Sequence, residues 1–206
     1  MEESLKKLRK PSVQVMNVLS LVTILMAGVQ YFFSLTIEST PIYLLITTVI
    51  EIIIIFLGFI QLFEKSENIK LKTAKRYLIV GCLTAYSTFL SFYNVYFFMA
   101  EENHIKLTNF WVVGFLFFIV CASAHICSLL LMSSTPVWLK GDKSIWILTL
   151  KIIASTIYIQ KIVEYFVVPN IAESHFIFLL SLLFIFACNF IVTQYYLLYV
   201  NVYTEV

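Results

Sequence analysis

A chain of 206 residues that is 61% hydrophobic and only 13% charged cannot hide its apolar surface in one aqueous core. Soluble domains hold about 45–50% apolar and about 25% charged residues, so lipid must cover what is left over here. The formal charge of +2 is too small to point to a nucleic-acid partner, and the abundant Phe and Tyr suit membrane interfaces and helix contacts.

A spanning helix needs about 20 mostly apolar residues, and six stretches meet that length. The first, 13–35, follows Pro11 and a basic segment holding Lys6, Lys7, Arg9 and Lys10. It lacks a small-residue cleavage site, so it reads as a retained helix rather than a removed signal peptide. Ser20, Thr23, Ala27, Gln30 and Ser34 share one of its faces.

The second stretch, 41–63, begins at Pro41 and carries Glu51 near its middle. Thr47 and Thr48 lie one turn before Glu51 and Gly58 two turns after, all on one face. A carboxyl group at bilayer depth costs roughly 2.5–3.5 kcal/mol on insertion scales and is a functional hypothesis by default. It is expected to turn inward, uncharged or paired. It serves either as a proton or cation site or as a hydrogen-bonded contact between helices. The loop at 64–76 alternates charge in EKSENIKLKTAKR, which reads as a short helical extension whose basic end attracts anionic headgroups.

The third stretch, 77–99, aligns Thr84, Ser87, Ser91 and Asn94, with Gly81 and Ala85 as a small-residue pair. The fourth, 110–132, aligns Gly114, Cys121, His125 and Ser128. Small and hydroxyl residues let helices approach and hydrogen-bond across the contact. His125 is the only histidine within a span; it is either a proton relay or a neutral packing residue.

The fifth stretch, 145–168, is the least lipid-like. Lys151, Ser155, Tyr158, Lys161 and Tyr165 recur at spacings of 4, 3, 3 and 4, which makes one polar stripe. Glu164 flanks it, three residues from Lys161 and within reach of an ion pair. Lys151 and Lys161 could each snorkel toward a nearby interface, and Lys161 could also pair with Glu164 or Glu51. The sixth stretch, 174–200, carries Asn189.

Basic residues set the expected orientation. Eleven lie in the N-terminal segment and the second and fourth loops, namely Lys6, Lys7, Arg9, Lys10, Lys65, Lys70, Lys72, Lys75, Arg76, Lys140 and Lys143. Lys106 stands alone on the other side beside Glu38, Glu101, Glu102 and Glu173. The positive-inside rule then places both termini in the cytoplasm. The expected fold is an all-α, polytopic integral membrane bundle of six transmembrane helices forming one domain over 1–206. Three spans per half would give inverted halves, as in some transporters, although no sequence repeat supports this.

Cys82, Cys121, Cys127 and Cys188 all fall in apolar stretches, which argues against a disulfide framework and for packing residues; Cys82, near a helix end, is also open to palmitoylation. No zinc motif, P-loop or nucleophile elbow is present, so no metal and no cofactor is expected. No N-x-[ST] sequon occurs. The ending Tyr203-Thr204-Glu205-Val206 resembles a class I PDZ-domain ligand, which implies a cytoplasmic partner at Thr204–Val206.

The leading functional expectation is a small transporter or channel-like protein. Its site joins Glu51, His125, Lys151, Tyr158, Lys161 and Glu164, with Glu51 as the protonatable group, and a homo-oligomer would complete the pathway. The second is a non-transporting scaffold or accessory subunit in which buried charges fix helix register or meet a partner membrane subunit. The third is a lipid-handling membrane enzyme using His125. Span length does not separate plasma membrane from endomembrane.

Overall fold

The structure, a computed structural model, describes residues 2–9, 12–33, 37, 39–64, 71–133, 143–171, 174 and 176–204. Lys10, Pro11, Ser34, Glu38, Lys65, Lys70, Pro136, Lys140, Glu173, His175, Glu205 and Val206 lie outside the described residues, so much of the charge pattern and the end of the tail motif do too.

Among the described residues seven helices run in chain order: α1 (Glu2–Arg9), α2 (Ser12–Phe33), α3 (Ile42–Phe63), α4 (Leu71–Glu102), α5 (Thr108–Ser133), α6 (Lys143–Val167) and α7 (Phe176–Thr204). Among the described residues there is no strand. Among the described residues five helical segments are long and apolar enough to cross a membrane: Ile42–Gln61, Thr73–Glu102, Thr108–Met132, Ser144–Val167 and Phe176–Val202. In α2 the apolar segment is shorter, Val15–Val29. A membrane-embedded protein is the consequence, because exposed Ile, Leu, Val and Phe line the outer faces of these helices and need lipid around them.

Two elements differ from the sequence expectation. The N-terminal segment is not only a basic signal. It folds as α1, an amphipathic turn pair that buries Leu5 and Leu8 against Ala74, Tyr77, Tyr195 and Val202. Its outer face carries the Glu3–Lys7 ion pair at 2.7 Å, four residues apart. The helical extension expected before the third span is realised in part, as Leu71–Arg76 runs straight into α4. At 1.5 Å per residue the 32 residues of α4 reach about 48 Å, well beyond a hydrocarbon core of about 30 Å. Its charged first turns therefore project from the apolar layer.

The chain divides into two compact units, Met1–Lys106 with Phe184–Val206, and Leu107–Leu183. In the first unit α4 packs with α1, α2 and α3, and it is the most buried of the five apolar segments. Its Thr84, Ser87, Thr88, Ser91 and Asn94 are buried in protein, and Thr88, Ser91 and Asn94 bond across the contacts. Ser20 Oγ donates to Thr88 Oγ1 at 2.7 Å, Thr88 donates to the Met16 carbonyl at 3.0 Å, and Thr23 Oγ1 donates to Ser91 Oγ at 2.7 Å. Ser20 and Thr23 of the stripe on the first stretch and Ser91 of that on the third thus meet at one seam, with Thr88 added to it. From α7, Cys188 Sγ donates to the Ala85 carbonyl at 3.0 Å, and Asn189 Oδ1 accepts from Tyr86 at 3.2 Å.

Helix α4 ends in a Schellman turn. Ile105 N donates to Ala100 O and His104 N to Glu101 O, both at 2.9 Å, and His104 takes φ 58°. In the second unit α5 packs on α6. Cys121 Sγ donates to the Ile153 carbonyl at 3.3 Å and lies 3.5 Å from Thr156 Oγ1. All four cysteines are free thiols: Cys121 and Cys188 are buried, Cys82 half-buried and Cys127 exposed.

Candidate intramembrane polar site

Glu51 lies in the first unit, with 1% of its surface exposed. Its face of α3 turns toward α4, because Ile and Leu occupy the other faces and lipid takes those. Asn94 Nδ2 donates to Glu51 Oε1 and to Thr47 Oγ1, both at 3.0 Å. Thr47 in turn donates to the Tyr43 carbonyl at 2.9 Å. The arrangement ties α3 to α4 by one amide shared between a carboxyl and a hydroxyl. Two helical turns further along the same face of α3, Gly58 lets Asn17 of α2 sit directly on its backbone. A Cβ there would fall on the Asn17 amide, within 2.8 Å of Oδ1 and 2.9 Å of Cγ.

His125, Lys151, Tyr158, Lys161 and Glu164 belong to the second unit. The stripe on α6 is graded along the helix. Lys151 and Ser155 are exposed, Tyr158 and Tyr165 are half-buried, and Lys161 and Glu164 are buried. Ser155 needs no neighbour for its hydroxyl, which donates to the Lys151 carbonyl at 2.8 Å. Lys161 is 0% exposed and its Nζ stands 2.8 Å from Glu164 Oε2. The other carboxylate oxygen, Oε1, accepts from Gln160 Nε2. Of the two counter-charges considered for Lys161, Glu164 is the one bonded to it.

Glu164 borders a cavity of about 320 Å³ between the start of α5 and the end of α6. Asn109, Phe110 and Val113 line one side, and Gln160, Val163, Glu164 and Val167 the other. The walls are mostly hydrocarbon, with Asn109, Gln160 and Glu164 the polar residues among them. Asn109 and Gln160 are additions that sequence reasoning missed. Gln160 stands four residues before Glu164, a spacing that marks side-chain neighbours on a helix. For Asn109 no sequence signal existed.

His125 is half-buried on α5, and its carbonyl accepts from Ser128 Oγ at 2.7 Å. The serine hydroxyl is thus engaged with backbone rather than presented to the imidazole as a nucleophile needs. Among the described residues no group of three or more His, Cys, Asp or Glu is placed to hold a metal ion.

No curated protein and no solved structure matches the chain. A family model does match, over residues 2–205, and the chain belongs to that family, the domain of unknown function DUF5079.

Proposed function

We propose that this is a small multi-pass transporter or channel-like protein with six membrane spans, α2 being the first, and both termini in the cytoplasm. Its polar pathway follows α6, from Lys151 past Tyr158 to the Lys161–Glu164 pair and the adjoining cavity, with His125 on α5 nearby in sequence register. The observation that carries the reading is the character of α6. It is the least buried of the five apolar segments, yet it shares the lowest mean hydropathy, 1.4. It leaves Lys151 and Ser155 exposed while burying an ion pair. A spanning helix with an exposed polar face calls for water or another chain along that face, and a second copy of the protein supplies both the cover and the rest of a pathway.

The test is a flux measurement in proteoliposomes across a panel of small ions and neutral solutes. Wild-type protein should accelerate at least one solute over protein-free vesicles. Lys161→Met with Glu164→Leu should return that rate to the protein-free value. Equal rates with and without correctly inserted protein across the panel would remove the proposal.

The second reading, a scaffold or accessory subunit, is favoured by Glu51. Its hydrogen bonds stay within α3 and α4, and its burial is nearly complete, as expected of a polar group that fixes helix register. In the leading proposal Glu51 takes this structural role.

A further inference from the structure

A second cavity lies in the first unit, where the apolar segment of α3 ends at Gln61 and that of α4 begins at Thr73. Its volume is about 450 Å³. Leu57, Ile60, Phe63 and Val80 form an apolar arm, and Gln61, Glu64 and Arg76 form a polar end.

The polar end holds a buried amide. Gln61 is 3% exposed, and among the described residues neither Nε2 nor Oε1 has a hydrogen-bond partner. Buried amides without partners are rare in native proteins and point to a group supplied from outside the chain. Around it the charges are organised. Arg76 pairs with the Glu64 carboxylate, and Tyr77 donates to the same oxygen at 2.9 Å. Arg9 of α1 donates from Nη1 to the Glu64 carbonyl at 2.7 Å, while its Nε is buried and unpartnered. Two guanidinium groups against one carboxylate leave a local charge of +1 (+2 − 1). The Arg76 side chain stays 53% exposed despite its bond to Glu64, so it has donors to spare.

We propose that this cavity binds one anionic glycerophospholipid. The phosphodiester, with its single negative charge, meets Arg76 and the Nε2 of Gln61, and an acyl chain lies along Leu57, Ile60, Phe63 and Val80. Guanidinium groups match phosphate oxygens in geometry as well as charge. The position at the end of an apolar segment puts the charged end of the site at headgroup level and the apolar arm at acyl level. Exposed Phe63, at 83%, extends that arm. The inference stands independently of any transport role.

The test uses full-length protein in nonionic detergent, stripped of lipid and given phosphatidylglycerol, phosphatidylcholine or inorganic phosphate. Native mass spectrometry counts bound lipid, and melting curves record lipid-dependent stabilisation. One phosphatidylglycerol per chain should be retained, about tenfold more tightly than phosphatidylcholine, and millimolar phosphate should not displace it. Gln61→Leu, similar in size, should weaken retention about tenfold. Without lipid it should melt no lower than wild type, since the unpaired amide is gone. Leu57→Trp, which fills the apolar arm, should also weaken retention, and if only one variant folds its retention decides. Equal retention by the folded variant and wild type would overturn the proposal. So would equal binding of phosphatidylcholine, which marks a zwitterionic-lipid site, or displacement by phosphate, which marks a simple anion site.

Discussion

Removing the Glu164 carboxylate by Glu164→Leu should destabilise the protein by about 3–5 kcal/mol. Lys161 is fully buried, and its Nζ lies 2.8 Å from Glu164 Oε2. The substitution strands that ammonium at bilayer depth, and it also takes away the acceptor of Gln160 Nε2. Replacing both partners, Lys161→Met with Glu164→Leu, removes the desolvation cost together with the attraction. The double variant should fall within about 1 kcal/mol of wild type or exceed it. The resulting cycle should give a coupling of about 3 kcal/mol. Detergent-titrated unfolding at neutral pH, followed by far-ultraviolet circular dichroism in mixed micelles, reads all four proteins. A cost below about 1 kcal/mol for Glu164→Leu with coupling indistinguishable from zero would refute the reasoning, because it would mean that Lys161 reaches water without its partner.

Three further outcomes follow from single positions. Burial by itself raises the Glu64 carboxyl, but hydrogen bonds from Arg76 and Tyr77 and the charges of Arg76 and Arg9 outweigh it, so it titrates below its ordinary value of 4.5. Its contribution is therefore complete above the unfolded value and lost as pH falls through the lower, folded one. Glu64→Gln should flatten the acid limb of a melting-temperature profile between about pH 6 and about pH 3, and an unchanged limb would count against the Arg9–Glu64–Arg76 cluster. Gly58→Ala should cost about 1–3 kcal/mol through its clash with the Asn17 amide, and adding Asn17→Ala should recover part of it in the same unfolding assay. His104→Gly should raise stability by about 1 kcal/mol, since His104 holds φ 58° where glycine carries no steric penalty.

The helices were legible because lipid demands unbroken apolar runs, and such runs need no tertiary knowledge to find. The stretch read at 41–63 is α3 (Ile42–Phe63), and 110–132 is α5 (Thr108–Ser133) to within two residues. Helix α1 was not legible as structure, because eight residues with a mean hydropathy dominated by charge look like a topology signal alone. Only Leu5 and Leu8, three apart, hinted at a buried face. The Lys161–Glu164 pair could be read from spacing, since both residues sit on one helix. The choice of Asn94 as the partner of Glu51 could not, because it depends on how α3 lies against α4. The cavity at Gln61 was hidden for the same reason. In sequence Gln61 is an ordinary polar residue at the end of a span, and only the packed structure reveals that its amide is buried and unpartnered.

On the proposed pathway, water reaches the cavity lined by Gln160 and Glu164, whereas Glu51 stays a dry contact. Single cysteines at positions 160 and 51, introduced as Gln160→Cys and Glu51→Cys after replacing the four native cysteines, can be challenged from each side of sealed vesicles with a small membrane-impermeant thiol reagent. Labelling at 160 with none at 51 is the predicted result. Labelling at 51 alone, or at neither position in correctly inserted protein, would contradict it and leave the scaffold reading in its place.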